Sequence, residues 1–315
     1  MHVIKQLLLI LFGIFLLTNI AGVTMTSFNL SQLSYAQSNN SNNNTIISTT
    51  HNTANPGPRI STNNRNLEIN LLAESLQNRL NKSVAILEVT SKLPQVMNFS
   101  SYSNSFNPSL HGIPKDVDLQ KRQVAQNILD TDKDIQIIFV NMPNGNFYLE
   151  QPYSRQINLT TNNIASNEFF KGAINTRDTY LSGAFVSNSS GLSEASITVP
   201  IYSTKNNSEK TLVGTWAGAL NFTLFNKSLQ NLNLTDNNNN NKRIVYVDQY
   251  GQKIADSNKQ LSHKVESFAS LLSFKNAVIG KSGSNIENIN GAKVLVSYHP
   301  VKVHTTNWVV LLMES

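Results

Sequence analysis

The sequence contains no cysteine among its 315 residues. This absence excludes disulfide bonds, thiolate metal sites and a cysteine nucleophile. Charged residues are also scarce, at 14% of the chain, and the formal net charge is +6. Because the Lys and Arg residues are scattered and form no stripe interleaved with aromatics, the composition does not predict nucleic-acid binding.

Complete catalytic and metal-binding motifs are absent as well. The segment DTDKDI, residues 130–135, lacks the Gly and Glu of a calcium loop, and GKS, residues 280–282, lacks the first P-loop glycine. His299 and His304 lie in a strand-turn region and are not expected to share a metal. We therefore predict no catalytic residue, no metal site and no cofactor, and an enzyme is the least favoured class. The carboxylates that we considered are separated in the sequence and have no identifiable partner: Glu150, Glu168 and Glu194.

The N-terminus indicates export. An apolar run follows Lys5, and Ser34 and Ala36 suit the −3 and −1 positions of a signal-peptidase site. Residues 1–36 are thus either a cleaved signal peptide or a single N-terminal membrane anchor, and the rest of the chain is expected outside the cytoplasm. Asn-x-Ser/Thr sequons agree with that placement and make the protein a candidate glycoprotein; they include Asn81, Asn98, Asn158, Asn188, Asn221, Asn226 and Asn233.

Two Asn-rich segments divide the chain. Residues 37–64 form a polar tract that we interpret as a disordered linker, and residues 236–242 form a short connector. The folded part then comprises residues 65–235 and residues 243–315.

The first folded unit begins with two helical patterns. Leu72, Leu76 and Leu80 recur at helical spacing, and Pro94 limits the far end of that long helix. The segment KDVDLQKRQVAQNILD, residues 115–130, predicts a second helix. Its apolar side is formed by Val117, Val124, Ile128 and Leu129.

Strand patterns follow. IQIIFV and FYLEQ predict a hairpin around NMPNGN, and Ser166 is a candidate N-cap for a short helix in NEFFKGAI. We predict that residues 180–187 and 194–202 pair as antiparallel strands joined by NSSG. In that arrangement Ser187 faces a ligand space and Gly191 supplies a positive φ.

The second unit has the same organisation in a smaller form. RIVYVDQYGQKIAD predicts two strands around a turn, and Asn290-Gly291 predicts a two-residue hairpin turn. Val265, Phe268 and Leu272 at helical spacing predict a helix between them. The fold class is therefore α+β, with a long N-terminal helix followed by two tandem modules of antiparallel sheet.

This order of elements carries a resemblance. The succession FFKGAINTRDTYLSGAFVSNSSGLSEASITVPIY and LVGTWAGALNFTLFNKSL resembles the membrane-distal module of a double Cache extracellular sensor domain. IVYVDQYGQKIADS and LVSYHPVKVHTTNWVVLLM are similar to its smaller, membrane-proximal module. The resemblance covers residues 65–315 and implies two PAS-like sheets with a small-ligand pocket in the distal module.

The resemblance also implies the site residues. Phe169 and Phe170 match the aromatic positions of family members that bind amino acids, Asn167 stands where they carry an Arg, and Ser187 where they carry an Asp. Without those two charges, a neutral or differently charged ligand is expected at least as much as an α-amino acid. Tyr148, Tyr180 and Phe185 are added because they belong to a cluster of aromatic residues around the central hairpins, which suits a mostly apolar pocket. The predicted ligand-binding residues are Tyr148, Asn167, Phe169, Phe170, Tyr180, Phe185 and Ser187.

The expected function is an extracytoplasmic module that binds a small molecule in the distal module. Family receptors continue into a transmitter domain, whereas this sequence ends at Ser315, so we expect no signalling output in the same chain and a membrane-bound transmitter protein as partner. A homodimer through the long N-terminal helix is also expected. The alternative is a structural or adhesive surface glycoprotein whose pocket is degenerate.

Overall fold

A computed structural model describes residues 59–205, 209–232, 242–259 and 266–315. These residues belong to one compact unit, Pro56–Ser315. The predicted signal peptide or anchor, most of the predicted linker and most of the predicted Asn-rich connector lie outside the described residues.

The first element is a helix of 33 residues, α1 (Arg59–Ser91). Leu72, Leu76 and Leu80 are all buried, as their spacing predicts. The helix begins at Arg59, so the last residues of the predicted linker, 59–64, are helical rather than disordered. Its first residue directly follows Pro58, and proline is well accommodated at a helix start. Two short helices follow, α2 (Pro94–Met97) and α3 (Tyr102–Ser105).

A single turn of 3-10 helix (Pro108–Leu110) leads to α4 (Leu119–Thr131). The predicted helix started earlier, but Asp118 adopts a left-handed conformation with φ 53° directly before α4. A helix cannot extend through that conformation, so Val117 lies outside it.

The first sheet has five strands in the order β2-β1-β7-β6-β3, and all neighbouring strands are antiparallel. Its strands are β1 (Ile135–Asn141), β2 (Phe147–Gln151), β3 (Tyr180–Leu181), β6 (Ser196–Lys205) and β7 (Glu209–Leu220). A separate two-stranded ribbon pairs β4 (Phe185–Val186) with β5 (Ser193–Glu194). Two helices lie between these strands in sequence, α5 (Tyr153–Gln156) and α6 (Glu168–Thr176).

The hairpin predicted from residue 180 to residue 202 is divided in two. Tyr180 and Leu181 pair with β6 in the main sheet, whereas Phe185 and Val186 pair with β5. Gly191 has the expected positive φ of 67°. The Ser166 cap is wrong: Asn167 occupies the N-cap position of α6, and its side chain makes no capping hydrogen bond.

The two faces of the first sheet contact different partners. Side chains alternate between faces along a strand, so Ile138 and Val140 join the core beneath α1, whereas Ile137 and Phe139 join a second cluster with α6. The candidate ligand site lies on this second face.

The second sheet also has five antiparallel strands, in the order β10-β11-β12-β8-β9. Helix α7 (Phe222–Gln230) precedes it. Its strands are β8 (Lys242–Val247), β9 (Lys253–Asp256), β10 (Gly283–Ile289), β11 (Ala292–Val303) and β12 (Thr306–Glu314). Asn290 and Gly291, with φ 53° and 84°, form the predicted two-residue turn between β10 and β11.

The helix predicted from Val265, Phe268 and Leu272 is wrong in extent. Helix α8 (Leu272–Val278) begins at the last of these residues, and Val265 lies outside the described residues. The segment around Phe268 is not helical. The Phe268 amide instead donates a hydrogen bond to Gly251 O, in the β8–β9 turn, at 2.7 Å.

The two modules repeat one another closely. In each, the turn after the first strand contains a glycine with positive φ, Gly145 at 83° and Gly251 at 84°. A Cβ on either glycine would lie 2.6 Å from the backbone nitrogen of an alanine, Ala165 or Ala269, on the returning chain. The chain thus approaches the turn in the same way in both modules, and only glycine fits there.

Among the described residues, no helix is both long enough and apolar enough to span a membrane.

Candidate ligand-binding site

A small cavity lies on the face of the first sheet that is turned away from α1. Its volume is about 20 Å³, which is room for one water-sized group. Its walls are largely apolar, and its polar groups come from the β4–β5 connection, from two strands and from the start of α6. The lining residues are Ile137, Phe139, Phe147, Glu150, Leu159, Ile164, Asn167, Phe169, Phe185, Ser187, Asn188, Ser189 and Glu194.

The centre of this sheet face carries small side chains. Ala217 pairs with Phe139 and Ala219 pairs with Ile137 across β7 and β1. Both alanines are buried in the cluster that includes Phe169. Because alanine leaves space above the strand, the Phe rings can surround a cavity instead of meeting bulky side chains.

Glu150 is the most unusual group in the cavity. It lies opposite Phe139 in the β1–β2 pair, is 3% exposed, and its Oε1 has no hydrogen-bond partner among the described residues. Burial raises the pKa of Glu150 to about 8; the Glu194 carboxylate adds to the rise, while Ser189 and Arg155 offset part of it. A buried charge without a partner is costly, so this carboxyl group is protonated over much of the neutral range.

Glu194 is the second buried carboxyl group. It is 3% exposed, and the Gln136 side-chain amide donates to its Oε2 at 3.1 Å. Burial raises the pKa of Glu194 to about 7, although Ser187, Arg155 and Gln136 favour its charged form. The cavity therefore holds two carboxyl groups that exchange protons near neutral pH.

Within the described part of the chain, no Lys, Arg or His forms an ion pair with either glutamate. Arg155 acts on both glutamates from a distance, and the ion pairs among the described residues include neither of them.

A wider groove adjoins the cavity. Its volume is about 430 Å³, and Glu168, Tyr250 and Gln252 line its outer part. The rings of Phe169 and Phe185, whose centroids are 4.7 Å apart, line both spaces and so lie between them. These two side chains therefore form a wall that the cavity and the groove share.

Four of the residues predicted from sequence line the cavity: Asn167, Phe169, Phe185 and Ser187. Asn167 and Phe169 are placed by the start of α6, and Phe185 and Ser187 by the β4–β5 ribbon. Ser187 is buried, whereas Asn188 beside it is exposed.

The other three predicted residues do not line the cavity. Phe170 is buried beneath it in the same cluster. Tyr180 packs against Gly172 of α6, and its hydroxyl donates to Glu168. Tyr148 belongs to the core beneath α1, where its hydroxyl donates to Asp118 at 2.7 Å, because it follows Phe147 in the strand and therefore points to the opposite face.

Sequence reasoning missed the pairing of Glu150 with Glu194. The sequence analysis describes them as separated carboxylates without an identifiable partner, whereas both are buried and line the same cavity. The signal that could have found Glu150 is the internal repeat, because FYLEQ occupies the position of KIAD in the second module.

His304 lies beside two carboxylates that the sequence analysis did not connect with it. Its Nε2 lies 3.1 Å from Glu88 Oε1 and its Nδ1 3.5 Å from Asp178 Oδ2. The ligand atoms of these three residues lie within 4.8 Å of one another. This group joins α1, the end of α6 and the β11–β12 turn, and none of its members lines the cavity.

Comparisons with known proteins agree with this architecture. The double Cache family model, described as Cache domain, matches residues 59–315. The periplasmic sensory domain of the Campylobacter jejuni chemoreceptor Tlp1 is similar with a TM-score of 0.59 and 14% identity, covering 81% of this chain and 95% of that one. The ligand-binding domain of the Pseudomonas aeruginosa amino acid chemoreceptor PctB, in complex with L-Arg, gives 0.58 and 13%, covering 82% and 96%.

A third similar structure is the ligand-binding domain of the Pseudomonas aeruginosa amino acid chemoreceptor PctC in complex with GABA. It has a TM-score of 0.54 and 15% identity, and covers 80% of this chain and 99% of that one. At these identities the likeness establishes the fold alone. A comparison with curated proteins gives no significant match.

Two tandem antiparallel sheets behind one long helix are the architecture of the double Cache class of domains. The chain belongs to the double Cache family. The family model matches residues 59–315, which include every helix and strand from α1 to β12.

Proposed function

We propose that this protein is an extracytoplasmic sensor module that binds a small molecule between the first sheet and α6. The observation that carries the proposal is the cavity itself, with four Phe side chains around two buried carboxyl groups. A mostly apolar space with a few convergent polar groups and perturbed pKa values is the usual form of a ligand site.

The second module offers a contrast. The corresponding face of its sheet is filled by a cluster that includes Phe268, Phe274 and Tyr298. The similar chemoreceptor domains were solved with L-Arg and with GABA, which supports a small-molecule ligand for this chain as well.

A thermal-shift screen of a small-molecule library tests the proposal. A ligand that binds only the folded state at about 100 times its Kd adds about 2.7 kcal/mol of stability. For a unit of this size that is a rise in Tm of about 5–10 °C. The double variant Phe169→Ala, Phe185→Ala should abolish the shift.

Phe274→Ala is the matched control. It removes a buried Phe from the second module, so it should lower Tm without altering the ligand-induced shift. If a ligand stabilises the Phe169, Phe185 variant as much as the wild type, the site lies elsewhere.

The alternative function is a structural or adhesive surface protein with a degenerate pocket. The small volume of the cavity, about 20 Å³, favours this alternative, because the aromatic rings occupy most of the space. If this alternative is correct, no ligand in the screen stabilises the protein. Substitutions in the cavity then lower Tm only because they remove buried side chains from the core.

We further propose that residues 1–36 direct export, as a cleaved signal or as an anchor. Mass spectrometry of the native protein tests this: a mature start at Gln37 indicates cleavage, whereas an intact apolar segment indicates an anchor.

We also propose that a membrane-bound transmitter protein and a second copy of the chain are partners. Leu67 and Val89 support contact through α1, since they are 51% and 63% exposed.

A further inference from the structure

Three side chains from distant parts of the sequence converge where the second module meets the first. Glu88 lies in the last turn of α1, Asp178 lies just after α6, and His304 lies in the two-residue turn between β11 and β12. Nε2 of His304 is 3.1 Å from Glu88 Oε1, and Nδ1 is 3.5 Å from Asp178 Oδ2. Each nitrogen of one imidazole therefore faces a carboxylate.

Two threonines hold these groups in place. Thr306 Oγ1 donates to Leu181 O at 3.0 Å, which ties the β11–β12 turn to the first module. Thr179 Oγ1 donates to Glu88 Oε1 at 2.6 Å, and the Thr179 amide donates to Asp178 Oδ1 at 2.7 Å. Asp178 then presents its other oxygen, Oδ2, to the imidazole. Hydrogen bonds of this kind orient the carboxylates that bind metal ions.

The charges of this group do not balance within the described part of the chain. Even a protonated imidazole carries one positive charge against two carboxylates. Three cations line the adjoining groove, Lys92, Arg177 and Lys210. The ion pairs among the described residues join none of them to Glu88 or Asp178. A divalent cation neutralises both carboxylates and leaves the imidazole neutral, the form in which it binds metal.

The group is accessible from solvent. Glu88 and Asp178 line a groove of about 440 Å³, and the side chains of His304 and Asp178 are 28% and 60% exposed. The ligand atoms of the three residues lie within 4.8 Å of one another. Two atoms on one zinc ion are at most about 4.2 Å apart, since each bond is about 2.0–2.1 Å. A small rotation of the exposed Asp178 side chain therefore suffices to bring all three onto one ion.

We propose that Glu88, Asp178 and His304 bind one zinc ion. Zinc takes imidazole nitrogen and carboxylate oxygen together, and an open zinc site has three protein ligands and a water molecule. Calcium takes about six to eight oxygen ligands, and magnesium keeps several of its waters, so an imidazole with two carboxylates favours zinc over both. The ion joins α1, the end of α6 and the second module at one point. None of its three ligands lines the ligand cavity, so the zinc site is independent of that cavity.

Isothermal titration with zinc chloride tests the proposal on protein that carries no histidine tag and has been dialysed against a chelator. We expect one zinc ion per chain, and far weaker binding of magnesium and calcium. Zinc at about 100 times its Kd should raise Tm by about 5–10 °C. The rise should persist in the double variant Phe169→Ala, Phe185→Ala, because those residues lie in the other site.

Four variants locate the ion. His304→Asn removes the imidazole but places at φ 49° a residue type that tolerates this conformation. It should weaken zinc binding by more than about 100-fold, and Glu88→Gln and Asp178→Asn should each weaken it by about 10-fold or more. Thr179→Val removes the hydroxyl that supports Glu88 and should weaken binding by about 10-fold, as the loss of a supporting hydrogen bond does at metal sites.

His299→Gln and Asp130→Asn are the matched controls. His299 lies on β11, and its Nδ1 contacts Pro300 O at 2.7 Å rather than a carboxylate. Asp130 is exposed on α4. Neither substitution should change the zinc affinity, and circular dichroism should show that all variants fold.

Equal zinc affinity in the wild type and in His304→Asn would overturn the proposal, as would equal binding of zinc and calcium by the wild type. Unchanged zinc affinity in both Glu88→Gln and Asp178→Asn would also overturn it, because the ion would then bind without the carboxylates. Zinc binding that depends on all three ligands confirms the site even if the library screen finds no ligand. Failure of the zinc site and failure of the proposed function are thus distinguishable.

Discussion

Glu150 and Glu194 connect the stability of the protein to pH. Both have pKa values raised from 4.5, to about 8 and about 7. The folded state therefore binds more protons than the unfolded state between about pH 4.5 and pH 8, and the free energy of unfolding falls as pH rises through that range. The stability that these two groups contribute is fully present below pH 4.5, the unfolded-state pKa, and is lost as pH rises through the folded-state values of about 7 and about 8.

The first prediction concerns this slope. Glu150→Gln cannot ionise, so its free energy of unfolding should exceed that of the wild type at pH 8.5 by about 1–3 kcal/mol and differ little at pH 5. Urea unfolding at the two pH values measures the difference. Asp130→Asn should keep the wild-type slope, and an equally steep slope in Glu150→Gln would show that Glu150 is not a buried, unpaired acid.

At the scale of single elements, two turns show two different reasons for a glycine: its positive φ and the lack of space for a Cβ. Gly251 and Gly291 both have φ 84°, but a Cβ on Gly251 would lie 2.6 Å from Ala269 N, whereas nothing lies within 4 Å of one on Gly291. The β8–β9 turn therefore needs glycine for two reasons, and the β10–β11 turn for one.

We expect Gly291→Ala to cost about 1 kcal/mol of unfolding free energy, as a residue with a side chain does at positive φ. Gly251→Ala should cost clearly more, because the chain around Ala269 must also shift. Thermal unfolding of the two variants compares them. Equal losses would mean that the close approach at Ala269 relaxes freely.

Elements with strong local signals could be predicted from the sequence. The spacing of Leu72, Leu76 and Leu80 locates α1, and Asn290-Gly291 locates its turn, because both depend on neighbouring residues alone. Phe268 was misassigned because its amide binds Gly251 O, a contact that local spacing does not contain.

The site was predicted less completely for the same reason. Phe169 and Phe185 were found by their aromatic character, but aromatic character does not give the face of a strand, and Tyr148 points to the other side. Glu150 and Glu194 come together only when β2 and the β4–β5 ribbon are positioned by the fold.

At the scale of the molecule, α1 joins the two modules through one core. The cluster beneath α1 contains Trp216 from the first sheet and Trp308 from the second. Further contacts bridge the modules: Thr306 Oγ1 donates to Leu181 O at 3.0 Å, and the Ala184 amide donates to Asp248 at 2.7 Å. A shared core of this kind favours a single cooperative transition.

Each module holds one of the two tryptophans of the chain, which allows a direct test. Trp216→Phe leaves Trp308 as the fluorescent reporter, and Trp308→Phe leaves Trp216. In each variant the fluorescence midpoint in urea should coincide with the midpoint from far-UV circular dichroism. Two separate midpoints within one variant would show that the modules unfold independently.

The central claim is that the first module binds a small molecule in the cavity between its sheet and α6. A crystal structure of the protein with a ligand found in the thermal-shift screen tests it most directly. The account predicts that the ligand contacts Phe169 and Phe185, that their rings move apart from their present centroid distance of 4.7 Å, and that the cluster of Phe268, Phe274 and Tyr298 in the second module is unchanged. A ligand bound elsewhere, or a cavity still closed at saturating ligand, would contradict it.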